Sequence, residues 1–119
     1  MLNERIQAYI ERISTLPYVR ECAIVSRDGV MLGRSGGRTF NESWFAMMSA
    51  ALHSAATSVA GIIYASEPVF VTVQTGEGTL ILSTIGEQAL IVIDAGNTSV
   101  SCETWNNIAS VMRECAEVI

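Results

Sequence analysis

The chain has 119 residues, which suits one domain (residues 1–119) with a substantial core. Half of the residues are apolar and 16% are charged, a composition far from that of a disordered chain. The net charge of −5, with seven arginines and no lysine, argues against a nucleic-acid partner and excludes a P-loop lysine or a Schiff-base lysine.

The first third of the chain predicts a helix followed by a β-hairpin. Apolar residues recur at helical spacing over residues 2–16, and the proline that follows ends the helix. This amphipathic start is unlike a secretory signal or a transit peptide. Asp28 and Gly29 lie between two short apolar runs, Ala23–Val25 and Val30–Leu32, and predict a tight hairpin turn.

A long apolar helix is predicted after a glycine-rich loop. Residues 33–39 form the loop, and Thr39 followed by Glu42 three residues later matches a capping box. The helix is therefore predicted to begin near Phe40 and to end near residues 61–64.

Three strands and a final helix complete the chain. The strands are predicted at residues 69–75, 79–85 and 89–95, and the short glycine-containing turns between them are typical of an antiparallel meander. Apolar residues at steps of three and four predict a helix over about 101–118. The order α-β-β-α-β-β-β-α indicates an α+β fold, with one five-stranded, mainly antiparallel sheet and helices on both of its faces.

The stretch 43–63 within the middle helix has no charged residue. A helix without a charged face is usually buried on more than one side. We therefore expect one face to lie on the chain's own sheet and the other on a partner, because small residues allow two helix backbones to approach closely. The large apolar stripe consists of Trp44, Met48, Leu52, Val59 and Ile62, and the opposite, small-residue face of Ala46, Ala50, His53, Thr57 and Ala60.

A transmembrane segment is the alternative for this stretch, because its length approaches the roughly 20 residues of a membrane span. Five of its positions are Ser or Thr, its large aliphatic residues lie on one face only, and no basic residue follows it closely. These features favour a soluble interface helix, and no membrane insertion is expected.

The strand at 69–75 is expected at a sheet edge, because it is the end strand of the meander. It has neither the charges nor the mid-strand proline that usually protect exposed edges. An unprotected edge beside an uncharged helix indicates that a second copy of the chain covers both through two-fold pairing. The predicted dimer contacts are Ala46, Ala50, His53, Thr57, Ala60, Phe70, Thr72 and Gln74.

No catalytic, cofactor-binding or metal-binding residue is predicted. His53 is the only histidine and has no His, Cys or carboxylate three or four residues away; Ser49 lies within its reach but has no recognisable acid partner. The glycine-rich loop lacks the ending of a phosphate-binding loop and is expected to be a connecting segment. The three cysteines lack CxxC spacing and indicate reduced thiols in a cytoplasmic protein.

Three segments, in their order and spacing, resemble the Roadblock family, named after a dynein light chain: the hairpin AIVSRDGVMLGRS, the helix NESWFAMMSAALHSAA and the pair of strands TLILSTIGEQALIVID. The resemblance covers nearly the whole chain. It implies that the middle helix lies on one face of the sheet and the terminal helices on the other. It also implies pairing through the middle helix and the third strand into a ten-stranded sheet.

Many members of this family bind Ras-like small GTPases as regulators or scaffolds, without catalytic machinery of their own. The resemblance therefore implies a cytoplasmic, non-catalytic homodimeric adaptor that binds a Ras-like small GTPase and modulates its nucleotide cycle or localisation. A small-ligand sensor of profilin-like layout and a structural subunit of a larger assembly are the alternatives, because fold alone does not settle function.

Overall fold

The computed structural model describes residues 2–97 and 102–116. The element order is the predicted one, and the fold is α+β. The elements are α1 (Leu2–Ser14), β1 (Glu21–Ser26), β2 (Met31–Arg34), α2 (Glu42–Tyr64), β3 (Val71–Gln74), β4 (Thr79–Ile85), β5 (Ala89–Asp94) and α3 (Cys102–Ala116).

The five strands form one sheet in the order β2-β1-β5-β4-β3, and every neighbouring pair is antiparallel. The central strands β1, β5 and β4 are almost entirely buried, as expected for strands covered on both faces. β3 is an edge strand, as the meander predicts, and β2 forms the other edge.

Helices α1 and α3 cover one face of the sheet. Ile6, Ile10 and Ile13 of α1 pack with Ile108 of α3 in the larger of two hydrophobic clusters. The Tyr9 hydroxyl donates a 2.7 Å hydrogen bond to a carbonyl of α3, which fixes the two helices to each other. The smaller cluster lies on the opposite face, beneath α2.

Several element boundaries differ by a few residues from those predicted. Helix α1 ends two residues early, and β3 is shorter than the predicted strand at 69–75. Helix α3 spans Cys102–Ala116, and the predicted helical positions 101, 117 and 118 lie outside the described residues. None of these differences changes the order or the pairing of the elements.

The start of α2 corrects the predicted capping box. The Asn41 side chain accepts a 3.0 Å hydrogen bond from the Trp44 backbone N–H, so that Asn41 is the N-cap and the helix begins at Glu42. Capping by Thr39 is therefore wrong. Asparagine caps helices at least as well as threonine, and Asn41 stands three residues before the N–H that it satisfies.

Helix α2 ends on a strained residue. Ala65 adopts the left-handed conformation, with φ of 52°, and its N–H donates to the Gly61 carbonyl at 3.1 Å. Glycine is the usual residue at this position because it has no Cβ to clash.

We therefore expect Ala65→Gly to raise the free energy of unfolding by about 0.5–1 kcal/mol, measured by urea denaturation. The matched control is Ala55→Gly, in the exposed middle of the same helix. This substitution should lower the free energy of unfolding by about 1 kcal/mol. Equal destabilisation by both variants would contradict the C-cap assignment.

Candidate interaction surface

The small-residue face of α2 lies on the chain's own sheet. Ala46 is completely buried, and Ser49 and His53, three and seven residues later, are also buried. Ala46 packs against Val25, Leu82, Leu90 and Val92 of the sheet. Small side chains are required here because they allow the helix backbone to lie close to the strands.

The turn between β1 and β2 shows how close this approach is. Gly29 has a φ of +94°, a conformation that disfavours any other residue. A Cβ atom at this position would lie 3.2 Å from the Cα atom of Met47 in α2. Glycine at the hairpin tip therefore permits both the turn conformation and the close packing of α2 against the hairpin.

The outward face of α2 is large and apolar. The stripe residues of α2 are between 40% and 80% exposed, although each is a residue type that usually lies inside a protein. The stripe consists of Trp44, Met48, Leu52, Val59 and Ile62, and Met47, Ile63 and Tyr64 extend the exposed apolar surface. Exposed apolar side chains grouped on one helix face are typical of an interaction site.

This orientation differs from the sequence-based expectation. Ala46 and His53, predicted to meet a second copy, are covered by the chain's own sheet. Ala50, Thr57 and Ala60 are half-buried beside them. The face available to a partner is the large apolar stripe, since the small face is needed for close packing on the sheet.

The predicted strand contacts lie at the β3 edge. Thr72 and Gln74 are exposed, while Phe70, just before the strand, stacks on Trp105 with ring centroids 4.5 Å apart. Phe70 therefore packs on the α3 side of the sheet, away from α2. Among the described residues, the outer edge of β3 pairs with no strand. The part of these residues in self-association stays a prediction.

A cleft of about 480 Å³ opens between α2 and the sheet, which sequence reasoning missed. Its floor is formed by side chains of β1, β5 and β4, among them Ala23, Val92 and Leu80. Phe45 and Met48 of α2 form one wall. These residues come from four separate elements and carry no motif, so that only the assembled fold brings them together.

Ion pairs hold the loop at the cleft rim. Arg34 lies 4.5 Å above the Phe40 ring and donates hydrogen bonds to Glu42 at 3.1 Å and to the Arg38 carbonyl at 2.7 Å. Arg38 lies 3.5 Å from Asp94. Both arginines are therefore engaged with acids, and they fix the loop to the start of α2 and to the end of β5.

The buried position of His53 affects its charge. Burial lowers the pKa of His53 below the usual 6.5, the nearby Arg27 lowers it further, and Glu67 acts in the opposite direction. The folded protein therefore binds a proton at His53 more weakly than the unfolded chain does.

We accordingly expect the free energy of unfolding to fall as the pH decreases below about 6.5, by at most about 1.4 kcal/mol per pH unit. Urea denaturation at pH 7.5 and pH 5.5 measures this loss. In the control variant His53→Gln, the difference between the two pH values should become smaller. A wild-type protein equally stable at both values would contradict the effect.

The residues that the structure describes contain no group of three His, Cys, Asp or Glu side chains that could hold a metal ion. Within them, α2 alone is long and apolar enough to cross a membrane on length and composition, a property that core and interface helices share.

Comparison with family models identifies one family for the chain. The model of the Roadblock/LC7 domain matches residues 5–95. No curated protein sequence matches the chain.

Similar solved structures include MglB from Myxococcus xanthus, with a TM-score of 0.85, 15% identity, and coverage of 98% of this chain and 88% of that one. An MglB with a tetrameric arrangement has a TM-score of 0.83, 16% identity, and coverage of 98% and 89%. A Roadblock/LC7 domain from Streptomyces avermitilis has a TM-score of 0.74, 19% identity, and coverage of 98% and 95%. At these identities the likeness shows the fold.

Proposed function

Because the chain belongs to the Roadblock/LC7 family, we propose that it is a cytoplasmic, non-catalytic homodimeric adaptor for a Ras-like small GTPase, whose nucleotide cycle or localisation it modulates. The single observation that carries the interaction role is the outward face of α2. This face exposes large apolar side chains along a helix that has no charge between Ser43 and Tyr64.

A second copy of the chain is the partner proposed for this face. The same chain carries the exposed apolar helix and the edge strand β3, whose outer side pairs with no other strand among the described residues. An isologous two-fold contact covers both at once. The tetrameric arrangement of a similar MglB supports self-association of this fold. In this arrangement Thr72 and Gln74 contribute main-chain pairing, and Leu52 and Val59 contribute apolar area.

The GTPase partner is proposed from the family. Roadblock/LC7 domains are regulatory. The resemblance implies that family members which accelerate GTP hydrolysis act by positioning the GTPase's own catalytic residues. The proposed mechanism is accordingly positional: the dimer presents a preformed surface and supplies no nucleophile, acid or metal. Because the chain has a net charge of −5, a GTPase surface rich in Arg or Lys would be electrostatically complementary to it.

Calorimetric titration tests this function. Purified protein is titrated with each small Ras-like GTPase encoded near its gene, loaded either with GDP or with a non-hydrolysable GTP analogue. We expect binding that differs between the two nucleotide states, because a regulator of the cycle must distinguish them. Absence of binding in both states for every such GTPase would overturn the GTPase assignment and leave self-association standing.

A small-ligand sensor is the second candidate, because the cleft has the volume of a small-molecule site. Native mass spectrometry of freshly purified protein distinguishes it from the adaptor. A bound compound adding a discrete mass to each chain would favour the sensor, whereas unmodified chain mass would favour the adaptor.

A further inference from the structure

We propose that the cleft beside α2 binds a small, uncharged and mainly apolar molecule that carries a hydrogen-bond acceptor, such as a ring compound with a carbonyl oxygen. The inference does not depend on the GTPase assignment. It rests on the second candidate function, the small-ligand sensor, to which it gives a ligand class.

The floor of the cleft is apolar. Ala46 of α2 packs against Val25 and Leu90, which are paired across β1 and β5. Toward the other end of these strands, Ala23 and Val92 are paired in the same way and form part of the cleft floor. The floor is therefore apolar sheet surface that lies beside the helix.

Aromatic side chains form the walls of the cleft. Phe45 belongs to α2 and Phe40 to the loop before it, and their ring centroids lie 5.1 Å apart with the ring planes tilted by 58°. Trp44, in the first turn of α2, also lines the cleft. Small-molecule sites are mostly lined by apolar and aromatic side chains, and the cleft volume of about 480 Å³ falls within their usual range.

The loop wall is held in place within the single chain. Arg34 stacks on the Phe40 ring at 4.5 Å and donates to the Arg38 carbonyl at 2.7 Å. At Gly36 the loop lies so close to β1 that an added Cβ would come 2.6 Å from the Glu21 side chain. Because ordering a loop on binding lowers affinity, small-molecule sites are usually largely preformed, and this cleft shares that property.

The charges around the cleft favour an uncharged ligand. The charged residues that line it are two acids and two arginines: Glu21, Asp94, Arg34 and Arg38. Arg34 is paired with Glu42 at 3.1 Å, and Arg38 lies 3.5 Å from Asp94. An anion would meet the acids and a cation would meet the arginines, while either would lose hydration over the apolar floor. A neutral molecule avoids both costs.

The Arg38 guanidinium supplies a donor for the oxygen of the ligand. Its side chain is 57% exposed, and its Nη2 atom lies 3.5 Å from a carboxylate oxygen of Asp94, which is longer than a good hydrogen bond. A guanidinium carries five N–H donors. Arg38 can therefore donate to a carbonyl oxygen in the cleft while it remains beside Asp94.

Fluorescence titration with dyes of different charge tests the ligand class. The wild-type protein is titrated with Nile red, which is uncharged and carries a carbonyl oxygen, with the anion 1-anilinonaphthalene-8-sulfonate, and with the cation thioflavin T. We expect Nile red to bind at least about tenfold more tightly than either charged dye, because the cleft has an apolar floor and no net charge.

Substitutions that fill the cleft test the location of the dye. Ala23→Leu places a larger side chain on the cleft floor, and we expect it to weaken Nile red binding at least about tenfold. Leu80→Trp fills the cleft from β4, at a half-buried position, and should have the same effect. Circular dichroism verifies folding, and Leu80→Trp decides the result if Ala23→Leu does not fold.

The matched control is Val59→Ser. Val59 is 64% exposed in the large apolar stripe of α2, but it does not line the cleft. This substitution removes apolar surface on which a dye could bind outside the cleft. We expect the Nile red affinity of Val59→Ser to stay within about twofold of the wild-type value.

The outcomes are distinguishable. Nile red binding that is weakened by the filling variants and kept by Val59→Ser supports the site. Loss in Val59→Ser alone, or no binding to the wild-type protein, overturns it. Binding by the Leu52→Arg variant but not by the wild-type protein would show that a second copy fills the cleft, which also overturns it. Tighter binding of a charged dye overturns the ligand class. The GTPase titration is a separate measurement, so failure here leaves the adaptor function standing.

Discussion

Leu52→Arg should convert the protein into a folded monomer. Leu52 lies near the middle of the outward face of α2 and is 40% exposed, so that in a single chain the new guanidinium remains in water. In the dimer the same charge would be buried without a partner, at a cost of about 3 kcal/mol or more, which weakens self-association more than about 100-fold. Light scattering measures the mass, and circular dichroism verifies that the helices remain.

The matched control for this prediction is Ser54→Arg. Ser54 is exposed on the opposite flank of the same helix, two residues away. The Ser54→Arg substitution should leave both the mass of the particle and its circular dichroism unchanged. If Leu52→Arg and Ser54→Arg behave alike, the outward face of α2 is not the self-association surface.

Ala46→Glu should destabilise the single chain itself. Ala46 has no exposed surface and is packed among the side chains of Val25, Leu82 and Leu90. A glutamate here would both overfill the contact and bury a carboxyl group without a partner, at a cost of about 3–5 kcal/mol. Because small domains are stable by only about 5–15 kcal/mol, a loss of this size removes a large share of the total free energy of unfolding.

Urea denaturation followed by circular dichroism measures this loss. Ser54→Glu introduces the same residue at an exposed position of the same helix and should change the free energy of unfolding by no more than about 0.5 kcal/mol. A folded Ala46→Glu variant with unchanged stability would show that the small-residue face is not the face seated on the sheet.

Most of the fold follows from local patterns in the sequence. Asp28 and Gly29 between two apolar runs specify the hairpin, and glycine turns separate the three strands of the meander. The end position of β3 follows from the meander order. The capping residue was harder to predict, because Thr39 and Asn41 both have side chains that cap helices and only the backbone geometry separates them.

The orientation of α2 could not be read from hydrophobicity. A general rule places large apolar residues inside, yet here Ala46 lies on the sheet while Trp44 and Ile62 are exposed. Close approach of helix and hairpin, visible at Gly29, selects the small face for the sheet. The uncharged composition of α2 predicted that both faces are covered, but not which face lies on the sheet.

The cleft was unpredictable for a different reason. Leu80, Val92 and Met48 are ordinary core residues when considered along the chain. They line a cavity only because α2 covers one end of the sheet and leaves the other open. Such a site depends on the position of a helix across the strands, which no local sequence pattern encodes.

Light scattering of the wild-type chain over a dilution series tests whether a second copy covers the outward face of α2. We expect twice the chain mass of 12.8 kDa, maintained down to low micromolar protein. A mass of one chain throughout the series, with α2 intact by circular dichroism, would contradict it.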